Sequence, residues 1–107
     1  MSETSQRLKL CDSKDGPAPN GLLRCEPEGM DPIALCNVAG VLFAIEDECT
    51  HAIATLSEGR LDGEVIFCPL HGGSFNVRTG KACSLPCKQP VRTFAIETAE
   101  DAVWLLL

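Results

Sequence analysis

At 107 residues the chain suits one domain with its own core and leaves no room for a second catalytic domain. Its net charge of −6 argues against nucleic acid or an anionic membrane as a partner. Seven cysteines, behind a polar start (Met1–Gln6) without the apolar stretch or small-residue cleavage site of a secretory signal, argue against a disulfide framework and for a reducing cytoplasm.

Taken in order, Arg7–Cys11 alternates apolar and polar residues as a half-buried strand does, and Asp12–Gly21 collects Asp, Ser, Gly, Pro and Asn as a long turn. Leu22–Cys25 reads as a short edge strand and Glu26–Asp31 as another turn. Pro32–Asn37 and Val41–Glu46, joined by Val38-Ala39-Gly40, read as a hairpin. Ala52–Gly59 has no sustained period, and Leu61-Asp62-Gly63-Glu64 reads as a turn leading into a short strand, Val65-Ile66-Phe67. Ser74-Phe75-Asn76 and Ala82-Cys83 flank a turn at Arg78–Lys81, and Val91–Glu97 and Ala102–Leu107 end the chain with strand-forming residues. The last of these, the longest apolar run near the end, is far too short to cross a bilayer, so a soluble protein is expected. No segment carries a helical period, and many short strands between turns predict an all-β, antiparallel sandwich or barrel.

Two hooks interrupt this pattern: Cys49-Thr50-His51 and Cys68-Pro69-Leu70-His71. They hold the only two histidines of the chain. Two thiolates and two imidazoles suit either of two centres. Zinc accepts Cys₂His₂ ligation, although its structural hooks usually space their ligands by two to four residues, wider than Cys49-x-His51. A two-iron, two-sulfur cluster lets each hook give its cysteine to one iron and its histidine to the other. The remaining cysteines have plainer readings. Cys36 ends the apolar run Ile33–Leu35 and, with Cys11 and Cys25, reads as a small buried hydrophobe. Cys83 and Cys87 lie four residues apart and are expected to stay unpaired in a cytoplasmic protein. Charge is uneven: nine acids and one base between Glu26 and Glu64, four bases and no acid between Val65 and Ile96, with one hook in each zone.

The hooks, together with Gly72-Gly73-Ser74-Phe75, Leu56-Ser57-Glu58-Gly59, Leu61-Asp62-Gly63 and Asn76-Val77-Arg78-Thr79-Gly80-Lys81, resemble the Rieske-type ferredoxin components of bacterial aromatic ring-hydroxylating dioxygenase systems, such as the carbazole, naphthalene and biphenyl types. The likeness covers nearly the whole chain. It implies the Rieske fold: an antiparallel β-sandwich base within one domain (1–107), with a small inserted cluster-binding subdomain at about 47–86. It implies one Rieske 2Fe-2S cluster as cofactor, with Cys49, His51, Cys68 and His71 as its metal ligands and no catalytic residue. It implies an electron carrier, not an enzyme, taking single electrons from a flavin-containing, NAD(P)H-dependent reductase to a terminal Rieske non-haem iron oxygenase, as a cytoplasmic monomer. A Rieske small subunit of a nitrite reductase is the alternative within the same fold, and a zinc-binding interaction module the alternative outside it.

By the same resemblance, hydroxyl donors that raise the potential of respiratory relatives fall at Gly73 and Phe75 here. Positions where those relatives carry a further cysteine hold Leu70 and the run Ala52-Ile53-Ala54. Together with the acids Glu46, Asp47 and Glu48 near the first hook, this predicts a midpoint towards the bottom of the Rieske range. Gly72 and Gly73 are expected to let the second loop turn tightly. Pro86 is expected as a lid, and Ala52, Ile53, Leu70 and Pro86 as an apolar collar for docking, with Glu46–Glu48 steering partners.

Overall fold

The structure is a computed structural model that describes residues 6–50, 53–70 and 72–107. Among the described residues eleven strands form three antiparallel sheets, and no α-helix occurs. The first sheet has the order β1 (Arg7–Asp12), β11 (Ala102–Leu106), β10 (Ile96–Ala99). The second runs β2 (Leu22–Cys25), β3 (Ile33–Val38), β4 (Val41–Glu46), β9 (Thr93–Phe94). The third runs β5 (Arg60–Asp62), β6 (Val65–Phe67), β7 (Ser74–Asn76), β8 (Ala82–Ser84). Short 3₁₀ turns lie at Ser13–Asp15 and Leu56–Glu58.

The second sheet is the middle layer, and β3 shows why. Successive side chains of a strand point to opposite faces. Ile33 and Leu35 join Ala44, Val103 and Leu105 in the core shared with the first sheet. Ala34 and Cys36 join Ile45, Leu56, Ile66, Phe75 and Val77 in the core shared with the third. A strand covered on both faces has no use for alternation, which accounts for the unbroken run Ile33-Ala34-Leu35-Cys36, each fully buried. The third sheet has no separate core: it closes on the middle layer, and Cys49, Cys68 and Cys87 belong to that closure.

Two-residue turns set the register where strands adjoin. Val38 pairs with Val41 across Ala39-Gly40, and Ala99 with Ala102 across Glu100-Asp101. All four turn residues have positive φ, between +51° and +96°, as the mirror-image turns of tight hairpins require.

The expected all-β antiparallel architecture is borne out, with three differences. Arg60–Asp62 is a strand, β5, and the turn lies one step later at Gly63-Glu64: Leu61 pairs with Ile66 and is buried, and a turn residue would not be. Val91–Glu97 is not one strand. It breaks at Ala95, so that β9 pairs with β4 in the middle sheet and β10 with β11 in the first. Ser84 extends β8 beyond Cys83, pairing with Ser74 through a shared hydroxyl contact of 2.7 Å.

Candidate metal centre

Both hooks begin on strand ends and are closed in the same way. The first leaves β4 and returns at an isolated bridge between Glu48 and Thr55, and the Cys49 N–H donates to the Ala54 carbonyl at 3.0 Å. The second joins β6 to β7, and the Cys68 N–H donates to the Gly73 carbonyl at 2.7 Å. Each cysteine thus anchors the base of a loop whose other leg lies five residues on. Cys49 and Cys68 are each 3% exposed, while Leu70 and Ile53, on the outer parts of the two loops, are 52% and 93% exposed.

The base of the first hook is held by Asp47, whose N–H donates to the Pro32 carbonyl and whose own carbonyl accepts from the Leu56 N–H. Its buried carboxylate accepts from the Ser57 N–H, the Ser57 hydroxyl and Arg24. The expectation of a free acidic run for steering is corrected here. Asp47 is fully consumed inside the fold, and Glu46 accepts the Arg92 N–H at 2.7 Å. Glu48 alone of the three is exposed.

A third segment, 84–92, closes over the first hook and touches the second. The Thr50 hydroxyl donates to the Gln89 carbonyl at 2.8 Å. Cys87 Sγ lies 3.7 Å from Cys49 Sγ. A Cβ placed on Gly73 would come within 2.3 Å of that same Cys87 sulfur, so the glycine is required by close packing against Cys87. Gly72 takes a left-handed φ of +76° in open space, as expected of the tight turn. Burial, the contact with Cys49 and the nearby Cys49 and Cys68 push the Cys87 thiol up to about 12.

Cys83 and Cys87 form no disulfide with each other, in agreement with the expectation: Cys83 is exposed and Cys87 buried. Cys25 and Cys36 are buried as expected, and Cys11 is partly so. His51 and His71, expected as ligands, and Ala52, expected in the collar, lie outside the described residues. Among the described residues no three Cys, His, Asp or Glu side chains converge as a metal site. Cys49 and Cys68 do come to one buried place, in the same core cluster as Cys87. Two shielded thiols on separate loops are the donor set that a mixed-ligand cluster needs on one of its irons, so the residues fit the group.

Residues 6–95 match the Rieske [2Fe-2S] domain family. The chain belongs to that family. Its cofactor is accordingly a Rieske 2Fe-2S cluster. The chain is 46% identical to ferredoxin CarAc of Metapseudomonas resinovorans over 92% of its length and 91% of the relative's. It is 50% identical to the ferredoxin component of biphenyl 2,3-dioxygenase from Rhodococcus jostii (strain RHA1), over 89% and 87%. It superposes with a TM-score of 0.86, at 45% identity and covering 94% and 92% of the two chains, on the solved complex of reduced oxygenase and oxidized ferredoxin in carbazole 1,9a-dioxygenase. These relatives are electron-carrying components of multicomponent systems, and this Rieske ferredoxin is a carrier, not a catalyst.

The sequence reading missed one residue of this site. Spacing along the chain relates Cys87 only to Cys83, and no local pattern places residue 87 against residues 49 and 73.

Proposed function

We propose that this Rieske ferredoxin passes single electrons from a flavin-containing, NAD(P)H-dependent reductase to a terminal Rieske non-haem iron oxygenase of an aromatic ring-hydroxylating system. Cys49 and Cys68 bind one iron, and His51 and His71 the other. The protein works as a cytoplasmic monomer, and residues 47–86 act as its cluster-binding subdomain. When bound, the cluster supplies one-electron chemistry. The rest is the work of the chain.

The observation that carries this reading is the pairing of two alike loops, each burying a cysteine at its base while presenting apolar residues outwards. The bases exclude water from the thiols: Cys49 and Cys68 are almost fully shielded. Ile53 and Leu70 on the two loops, and Leu85 on the third segment at 72% exposure, are exposed apolar side chains of the kind a small transient interface uses. Pro86, expected in the same rim, is half-buried. Acids outside this rim adjust encounter more than affinity.

Reduction with dithionite should give the electron paramagnetic resonance signal of a mixed-ligand cluster. A reconstituted mixture of NAD(P)H, reductase, this protein and oxygenase should turn over only when all components are present. Cys49→Ser and His71→Ala should each abolish the signal. Stoichiometric zinc with no signal, or full turnover without this protein, would overturn the assignment.

A further inference from the structure

Cys87 belongs to neither hook, yet the third segment reaches both hooks through it. Its sulfur is 3.7 Å from Cys49 Sγ, within reach of a sulfur hydrogen bond, and the residue is 3% exposed. It fills the space that a side chain at position 73 would occupy. The Cys87 backbone is fixed in turn, its N–H donating to the Ser84 carbonyl at 3.1 Å.

In the contact between the two sulfurs either one could be the donor. Metal ligation removes the ambiguity. A cysteine bound to iron is a thiolate and has no proton to give. With Cys49 as a ligand, the S–H must belong to Cys87 and the acceptor must be Cys49 Sγ. We infer that Cys87 sets the cluster potential, its thiol donating a hydrogen bond to the ligand sulfur of Cys49. This rests on the ligand set proposed above. A hydrogen bond to a charged acceptor strengthens as the acceptor gains negative charge. It therefore favours the reduced form and raises the midpoint, hydrogen bonds to sulfur being one of the levers on such clusters. The proton stays on Cys87 throughout, and no covalent bond changes.

The inference alters the expectation of a low potential. That expectation counted hydroxyls in the second loop, at Gly73 and Phe75, and found none. A donor arrives instead from the third segment, at the place left open by Gly73.

Redox titration of the cluster-loaded protein tests this, with Cys87→Ala, Cys87→Ser and, as control, the exposed Cys83→Ala. Cys87→Ala should shift the electron-transfer equilibrium with a fixed partner about three- to tenfold against reduction, a fall in midpoint of about 30–60 mV at 59 mV per tenfold for one electron. Cys87→Ser keeps a donor and should stay at or above the parent value, and Cys83→Ala should not move it. Pulsed resonance on the reduced parent should detect a deuterium-exchangeable proton coupled to the cluster that Cys87→Ala lacks. Where Cys87→Ala fails to load its cluster, Cys87→Val, which also lacks a donor and is closer in volume to cysteine, takes its place in both measurements. An unchanged midpoint in Cys87→Ala, or a Cys87→Ser value as low as that of Cys87→Ala, overturns the role of Cys87 while leaving the ligand set standing. No mixed-ligand signal in the parent overturns the ligand set itself, and the inference with it.

Discussion

Ser57 donates twice to the Asp47 carboxylate, from its backbone N–H to Oδ1 at 2.6 Å and from its hydroxyl to Oδ2 at 2.7 Å. The Arg24 guanidinium adds a third bond at 3.1 Å. Two residues before Cys49, this buried carboxylate ties the base of the first hook to the 3₁₀ turn at Leu56–Glu58 and to the edge strand β2. Asp47→Ala leaves the part-buried Ser57 N–H and hydroxyl without their acceptor, a loss of about 1.5–3 kcal/mol for hydrogen bonds to a charged group. The urea midpoint of Asp47→Ala should fall accordingly, and its cluster should be released faster. Ser57→Ala removes one of the three bonds and should cost less. Equal midpoints for Asp47→Ala and the parent would show that the network holds nothing.

Gly73 and Cys87 make a second test by packing. Gly73→Ala puts a methyl group against the Cys87 sulfur, with the Cys87 Cβ and backbone N each 3.2 Å away. Overpacking of this kind costs about 1–3 kcal/mol. Removing the sulfur should recover part of it, so Gly73→Ala with Cys87→Ala should be more stable than the sum of the single effects by at least about 0.5 kcal/mol. Denaturant unfolding of the four proteins gives the coupling directly, and additive effects would mean that the loop moves away from the methyl group.

How much of this could be read from sequence follows from what each signal encodes. Strands bounded by turn residues were legible almost to the residue: Leu22–Cys25, Val41–Glu46 and Val65–Phe67 match β2, β4 and β6. The hooks carry their signal as ligand spacing, and the structure places Cys49 and Cys68 at the bases of two alike loops. Arg60–Asp62 was not legible, since three residues beside a glycine turn carry too little pattern to separate strand from turn. The break at Ala95 was not legible either: β9 and β10 differ only in which sheet they join. Asp47 looked like a surface acid among acids, and its burial depends on Ser57 and Arg24, which lie far along the chain. Cys87 was hidden for the same reason.

The apolar rim predicts a docking defect without a redox defect. Ile53 and Leu85 are exposed side chains distant from any core role. Ile53→Asp and Leu85→Asp should lower the second-order rate of electron transfer to the oxygenase about five- to tenfold, close to 1 kcal/mol each, with the midpoint unchanged. Glu48 is the exposed acid of the three, so Glu48→Lys should alter chiefly the salt dependence of that rate. The substitution Glu46→Lys is a poor probe of steering, since it also removes the acceptor of the Arg92 N–H. Stopped-flow rates at several salt concentrations separate these effects. If both aspartate variants transferred electrons at the parent rate, the partner would dock elsewhere.

Alkaline pH tests the core opposite the hooks. Burial pushes the Cys25 thiol from the ordinary 9.0 up to about 11, and the residue sits in the core between the first and middle sheets. Above pH 9 the unfolded chain gives up this proton while the folded chain keeps it, so the unfolded state binds fewer protons and stability falls with rising pH. The contribution is complete below pH 9 and lost as pH climbs through 11, about 3 kcal/mol at 1.4 kcal/mol per unit of pKa. Cys36, pushed up to about 12, adds to the slope in the same direction. Urea unfolding at intervals between pH 8 and 11 should therefore show a falling midpoint, and Cys25→Ala, less stable at neutral pH for its lost packing, should show a shallower decline. A Cys25→Ala slope as steep as that of the parent would mean that other groups carry the alkaline transition.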